Sequence, residues 1–175
     1  LSKKILKGMT KYFDISLTNK CLSVDLKRLD HKDLKKRDIS RNINYLKNKG
    51  TLSFYNAVDL SEAHRVLNTL FEQHIKRWDE KETPSMFKEN KYKEFIIDLT
   101  NELLPKGKVK IWVLEFNQNP ISIEFGFEYN NKFLSYCRTY DVGYSKQGPG
   151  MMLGKFLVDH YLQAGFNELD FSRGA

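Results

Sequence analysis

Long apolar runs are missing from this chain of 175 residues. No stretch approaches the ~18 consecutive apolar residues that a transmembrane helix needs, so we expect no membrane span. The charged N-terminus, with Lys3, Lys4 and Lys7, is not followed by the apolar segment of a signal peptide. The chain begins with Leu1 rather than Met and stops soon after an apparent strand, so we expect it to be a piece of a longer protein.

Cysteine is scarce as well, with Cys21 and Cys137 the two in the chain. Neither belongs to a C-x-x-C pair, which excludes a disulfide framework and favours a reducing, cytoplasmic setting. Charge of one sign prevails instead, because 29 Lys and Arg against 22 Asp and Glu give a net charge of +7. A basic balance favours anionic partners such as nucleotides, CoA, acidic glycans or nucleic acid, although a solvated basic surface is at least as common.

Apolar spacing predicts an α+β fold. A hairpin of two strands is predicted over residues 12–26, and a basic helix over residues 31–48. From residue 51 the predicted order is strand, two helices, three strands, helix and strand. Antiparallel hairpins that lead into a strand–helix–strand crossover imply a mixed, mostly antiparallel sheet flanked by helices. We assign residues 1–50 to the tail of, or the link from, a preceding domain and residues 51–175 to one domain.

Finer patterns add expectations within these elements. Asp59 and Glu62 form a capping box at the start of the first long helix, and His74 further along it is expected to be packed and hydrogen-bonded. The second helix is expected to turn five apolar side chains inward: Tyr92, Phe95, Ile96, Leu99 and Leu103. In the middle strand, apolar side chains alternate with polar ones, which predicts that they share one face: Ile121, Ile123, Phe125, Phe127 and Tyr129.

The loop Gln147-Gly148-Pro149-Gly150 opens directly onto the last predicted helix. A glycine loop at a helix start exposes backbone N–H groups near the positive end of the helix dipole, which suits a phosphate or pyrophosphate. The alternative is that glycine and proline merely turn the chain. The loop is not a Walker loop, because no Gly-Lys-Ser/Thr follows, and the G-x-G-x-x-G spacing of dinucleotide sites is missing.

The element order, with this loop between the fourth strand and the third helix, resembles the GNAT acyltransferase superfamily. Three motifs are similar to the branch of cellulose-biosynthesis-type acetyltransferases: His74-Ile-Lys-Arg-Trp78, Asp141-Val-Gly-Tyr144 ahead of the loop, and Leu169-Asp-Phe-Ser-Arg-Gly174. Met152 departs from the pattern, because a small residue usually stands there. The resemblance covers roughly residues 30–175, and the same branch is similar in architecture to Fem-type peptidyltransferases.

The resemblance implies direct acyl transfer from acetyl-CoA or another acyl-CoA, without a metal, to an amine or hydroxyl of a small molecule or glycan precursor. The CoA pyrophosphate would be held by the loop and the residues after it: Gln147, Gly148, Gly150, Met151 and Met152. One alternative is a Fem-like transfer from aminoacyl-tRNA, which the net positive charge and the basic helix favour. Another is a GNAT-shaped fragment that binds a partner without turnover.

Candidate catalytic residues follow from the same resemblance. Asp141 is the first choice for the general base, because it ends a strand beside the glycine loop, although it could instead cap that loop. Glu124 and Glu128 are second choices, and either could face solvent. The family's fourth strand splays, and we place the splay at residues 136–139, which makes Tyr136 a third candidate.

Acceptor binding is assigned to four charged residues: Arg37, Arg41, Asp170 and Arg173. Asp170 and Arg173 could instead form a structural salt bridge. A covalent intermediate on Cys137 is not expected, because no His or Asp partner stands at a readable spacing and the family works without one.

Overall fold

The computed structural model describes residues 22–29, 37–79 and 83–172. These ranges form one mixed sheet with helices on both faces. The elements are, in chain order, β1 Ser23–Asp25, α1 Arg37–Lys47, β2 Leu52–Asn56, α2 Leu60–Trp78, α3 Asn90–Leu103, β3 Val109–Phe116, β4 Asn119–Tyr129, β5 Lys132–Tyr140, α4 Pro149–Gln163 and β6 Glu168–Asp170. Two 3₁₀ turns, Met86–Lys88 and Val142–Gln147, precede α3 and α4.

The sheet has the strand order β1-β6-β5-β4-β3-β2. All neighbours are antiparallel except β5 and β6, which are parallel and joined by α4. The predicted element order from residue 51 and the mixed, mostly antiparallel sheet are thereby confirmed. The capping box is present as predicted, because the Asp59 carboxylate accepts from the Glu62 N–H at 2.9 Å. The Asn130-Asn131 pair, a sequence signal for a two-residue turn, forms the β4–β5 turn with φ of 50° and 54°.

Each face of the sheet carries its own hydrophobic cluster. One cluster packs under α2 and α3, and its members include Val66, Leu70, Phe87, Ile96, Ile111 and Phe125. The other packs under α1 and α4, and its members include Ile43, Leu46, Trp112, Leu153, Leu157 and Tyr161. Because helices cover both faces, the middle of the sheet is buried on both sides.

Two β-bulges disturb the alternation along the central strands. Glu115 pairs with Pro120 and Leu114 with Ser122, which leaves Ile121 as an extra residue in β4. Because one extra residue reverses the facing of everything beyond it, Ile121 lies in the α1–α4 cluster, whereas Ile123 lies in the α2–α3 cluster. The prediction that these side chains share one face is therefore wrong at Ile121.

Other expectations are corrected or remain outside the described residues. In α3, Ile96 is buried as predicted, whereas Tyr92 and Phe95 are 38% and 52% exposed, because the buried face of the helix carries Ile96 and Thr100. In the predicted hairpin, residues 23–25 are a strand that pairs with β6, and residues 12–21 lie outside the described ranges. The domain boundary at residue 50 stays a prediction, although α1 shares a core with α4.

In the part of the chain described, no helix combines the length and apolar character that crossing a membrane requires. Within the same ranges, no three His, Cys, Asp or Glu side chains are grouped as metal ligands.

Candidate active site

A cleft opens where β5 and β6 part. Their parallel pairing ends at Leu134 and Asp170, and the next residue of the chain, Phe171, donates its N–H to the Leu22 carbonyl at 2.8 Å. Residues 135–140 therefore continue β5 along the cleft rather than beside β6. The cavity here has a volume of about 820 Å³ and is lined by Leu22, His74, Arg77, Trp78, Met86, Ser135, Tyr136, Cys137, Arg138, Phe171 and Ser172.

The second β-bulge shapes the wall of this cavity. Phe125 pairs with Cys137 and Gly126 with Ser135, so Tyr136 is the extra residue of β5. In a regular strand, residues 135 and 138 would face opposite sides, but the inserted residue brings Ser135 and Arg138 to the same side. Both side chains there bind the carboxylate of Glu124: Ser135 donates through Oγ and Arg138 through Nε.

Gly126 allows β4 and β5 to approach closely at this bulge. A Cβ at this position would lie 2.4 Å from the Phe133 ring and 2.5 Å from the Leu134 carbonyl oxygen. Side chains cannot approach that closely, so the close approach of β4 and β5 at the bulge requires glycine.

Glu124 is the most deeply buried charged group of the cleft, with no exposed surface. Burial raises its pKa, and the neighbouring Arg138 charge and the Ser135 and Arg138 hydrogen bonds offset part of that rise. The alternative that Glu124 faces solvent is wrong, because α4 covers this face of the sheet. The side chain of Glu128, the other second choice, is 20% exposed and accepts a hydrogen bond from the Tyr161 hydroxyl at 2.8 Å. A buried carboxylate with a raised pKa, one hydroxyl away from a cavity, is a stronger base than an exposed carboxylate.

Arg138 connects the cavity to the glycine loop. Its Nη1 lies 3.4 Å from the Gly150 carbonyl oxygen, and its guanidinium lies 5.4 Å from the centre of the Phe171 ring. A Cβ at Gly154 would be 3.1 Å from Nη1, so α4 reaches this close because residue 154 has no side chain. From the other wall, Arg77 donates to the Arg138 carbonyl at 3.2 Å.

The glycine loop forms the N-terminus of α4. Gly148 has φ +65° and caps the helix, and Pro149 occupies the first helical position, where its missing N–H costs nothing. Neither Gly148 nor Gly150 has a side chain to cover the first-turn backbone, and Met151 is 55% exposed. Of the first-turn N–H groups, that of Gly148 donates to the Ser145 carbonyl at 3.1 Å and that of Met151 to the Gly148 carbonyl at 3.0 Å, which leaves the Gly150 N–H without a backbone partner among the described residues. The geometry therefore fits a phosphate group held by the Gly150 N–H at the positive end of the helix dipole.

The remaining loop candidates contribute in different ways. Met152 is fully buried in the α1–α4 cluster, so its side chain anchors the helix in the core. The Gln147 carbonyl accepts from the Asn42 side chain at 2.9 Å, which ties the loop to α1.

Asp141 caps the 3₁₀ turn before the loop. Its Oδ1 accepts from the Gly143 N–H at 2.9 Å, and the residue is not part of the wall of the cavity. The capping role weighed against its catalytic role is thus present in the structure, and its role as general base stays a prediction.

The other predicted residues are dispersed. Tyr136 is 44% exposed at the bulge and lines the cavity, with its ring edge-on to Phe125 and Phe127. Asp170 accepts from the Ser172 N–H at 2.7 Å, and the exposed Arg41 pairs with Asp38 at 3.1 Å, away from the cavity wall. The side chain of Arg37 and all of Arg173 lie outside what the structure describes.

Sequence reasoning missed Ser135, Arg138 and Arg77. A glycine inside a strand is a signal for a bulge, so Gly126 could have pointed to the first two. Cys137 lies in the cavity wall, but burial raises the pKa of its thiol to about 12, so it holds almost no thiolate at neutral pH.

A family model described as an acetyltransferase (GNAT) domain matches residues 34–175. Among curated proteins no match is found. Several solved structures share the fold. FemX is 8% identical with a TM-score of 0.65, over 97% of this chain and 60% of its own. L-PGS from Bacillus licheniformis is 16% identical with a TM-score of 0.56, over 87% of this chain and 44% of its own.

A third similar structure is a GCN5-related N-acetyltransferase from Ralstonia eutropha. It is 12% identical with a TM-score of 0.52, over 68% of this chain and 81% of its own. The chain thus spans about half the length of the larger proteins that it resembles. Because the family model extends over most of the sequence, the chain belongs to the GNAT acetyltransferase family.

Proposed function

We propose that the protein is an acyl-CoA-dependent N- or O-acetyltransferase. The observation that carries this proposal is the cavity at the parting of β5 and β6, whose wall residue Arg138 also contacts the Gly150 carbonyl at the N-terminus of α4. A donor held at the N-terminus of α4 would extend its acyl end along the open edge of β5, towards residues 135–138. The acceptor, an amine or hydroxyl of a sugar or cell-envelope precursor, would enter the same cavity.

Bound acyl-CoA supplies an activated thioester carbonyl for direct attack. The acceptor forms a bond to this carbonyl carbon, the carbon–sulfur bond breaks, and CoA leaves as the thiolate with the electron pair of that bond. The acceptor loses one proton. We assign that proton to Glu124, delivered through the Ser135 hydroxyl, which donates to the carboxylate and lines the cavity. Arg138 holds the carboxylate in place and compensates its charge while Glu124 is ionised.

The glycine-loop assignment is tested by a charge at Met151. In Met151→Glu the carboxylate lies in the first turn of α4, where its interaction with the helix dipole stabilises the fold by about 0.3–1 kcal/mol. The same negative charge repels a bound pyrophosphate. We expect unchanged or higher stability together with at least tenfold weaker acetyl-CoA binding in calorimetric titration. Met151→Gln has the same size without the charge and should bind like the wild type.

Equal binding by both Met151 variants would move the pyrophosphate away from this helix terminus. If neither the folded wild-type chain nor a longer chain that contains it binds acetyl-CoA, acyl-CoA is not the donor.

A second candidate is transfer from aminoacyl-tRNA, which the net charge of +7 favours. We retain the cytoplasm as the proposed compartment, because Cys137 is a free, buried thiol.

A further inference from the structure

His74 stands in the cavity wall opposite β5. Its ring stacks on Trp78 with centroids 5.6 Å apart and planes 11° apart, and it meets Phe87 edge-on at 5.0 Å. Nδ1 lies 2.8 Å from the Ser85 hydroxyl oxygen. The ring is therefore fixed on three sides while part of it borders the cavity.

The Ser85 hydroxyl decides which ring nitrogen carries the proton. Ser85 is 4% exposed, and its oxygen already accepts the Phe87 N–H at 3.1 Å. The hydroxyl hydrogen needs an acceptor, and among the described residues His74 Nδ1 is the one within reach. Nδ1 thus accepts, and the proton of the neutral ring is on Nε2.

Nε2 is the ring nitrogen that Ser85 does not contact. It has no partner among the described residues, and it is not among the buried side-chain atoms that lack one, so it is accessible. Because the ring borders the cavity, a ligand oxygen in the cavity can reach this N–H.

We propose that His74 is a fixed, neutral Nε2–H donor that binds the carbonyl oxygen of the acyl group in the cavity. The inference rests on the proposed acyl transfer and adds a side-chain donor to that site. Such a donor stabilises the charge that grows on this oxygen as the acceptor attacks.

Electrostatics agree with this role. Burial, and to a lesser extent the Arg77 charge, lowers the His74 pKa to about 4. The imidazole is therefore neutral at physiological pH and acts as a donor rather than as a base, as a neutral histidine does in other enzymes that polarise carbonyls.

The tautomer is measured directly by ¹⁵N NMR of the histidine rings in the free protein. We expect His74 to show a protonated Nε2 and an unprotonated Nδ1 at neutral pH. A protonated Nδ1 would overturn the proposal, because Nε2 would then be an acceptor.

The ligand contact is measured with acetyl-CoA labelled with ¹³C at the thioester carbonyl. Binding to the wild type should move the carbonyl resonance downfield, as donation to the oxygen polarises the bond. His74→Phe keeps a ring on Trp78 but has no N–H, so it should bind acetyl-CoA with most of the shift lost. His74→Gln retains a donor and should recover part of the shift. The control is His64→Phe on the same helix, where the ring pairs with Asn101 at 2.7 Å away from the cavity wall.

The outcomes separate the two proposals. Acetyl-CoA binding with an equal carbonyl shift in the wild type and His74→Phe would overturn the role of His74 and leave the proposed function standing. No acetyl-CoA binding by any variant would overturn both.

Discussion

Among the described residues, Ser135 is the one whose hydroxyl both binds the Glu124 carboxylate and lines the cavity, so its removal distinguishes a catalytic from a structural role of this cluster. Ser135→Ala removes the proton path but keeps the Arg138–Glu124 pair. We expect kcat to fall at least tenfold, as is usual for losing a step of general base catalysis. Stability should fall by about 1–3 kcal/mol, because one buried hydrogen bond is lost. The kcat values are measured with acetyl-CoA and with the best acceptor found in a screen of amines and hydroxyl compounds.

Ser122→Ala is the matched control for this prediction. Ser122 is fully buried on β4, and its hydroxyl donates to the Thr139 carbonyl at 2.7 Å, so its loss costs a similar bond. If both variants lose stability but keep kcat, the cluster holds the strands together and Glu124 is not the base.

At the scale of elements, the bulge of β5 depends on the glycine opposite it. Gly126→Ala would force a Cβ against the Phe133 ring and the Leu134 carbonyl, and overpacking of this kind costs roughly 3 kcal/mol. Gly150→Ala is the matched change, since its Cβ would make ordinary contacts at 3.7 and 3.8 Å. There we expect a gain of about 0.5–1 kcal/mol from helix propensity. Urea unfolding of both variants measures the difference, and equal stabilities would mean that the strands do not approach this closely.

For the whole molecule, the neutral His74 makes stability depend on pH. Its pKa is lowered from 6.5 to about 4, so between these values the unfolded chain binds more protons than the folded chain. The free energy of unfolding therefore decreases as pH falls from about 6.5 to 4. His160, whose pKa burial also lowers, acts in the same direction, whereas the raised pKa of Glu124 lowers stability as pH rises above its usual 4.5.

We expect His74→Gln to flatten this acid slope, since the variant has no group to titrate at that position. Urea unfolding at several values between pH 4 and 6.5 measures it for both proteins. Parallel curves would show that the folded and unfolded states bind the His74 proton equally well.

The net charge of +7 is also a property of the whole molecule, and salt distinguishes its possible uses. A specific pyrophosphate site retains acetyl-CoA at about 0.2 M salt, whereas affinity for tRNA falls steeply with log salt. We expect bulk tRNA to compete with acetyl-CoA weakly at about 50 mM salt and not at about 200 mM. Competition by aminoacyl-tRNA at both concentrations would favour the second candidate function.

The sequence by itself determined the features that depend on neighbouring residues. Apolar spacing marked α2 and α4, Asp59 marked a helix start, and the Asn130-Asn131 pair marked a turn, because these signals act within a few residues. The order of these elements and the Gly148 loop then carried the family resemblance, which the match over residues 34–175 confirms.

Only the tertiary structure decided which side chains form the site. An inserted residue in β5 reverses facing without leaving a fixed sequence pattern, so the meeting of Ser135 and Arg138 at Glu124 could not be read from alternation. The cavity exists because β5 and β6 part after Leu134, and its far wall comes from His74, more than sixty positions from β5 Arg138 in the sequence. Burial in the folded protein, rather than local propensity, is the largest cause of the raised pKa of Glu124 and of the lowered pKa of His74.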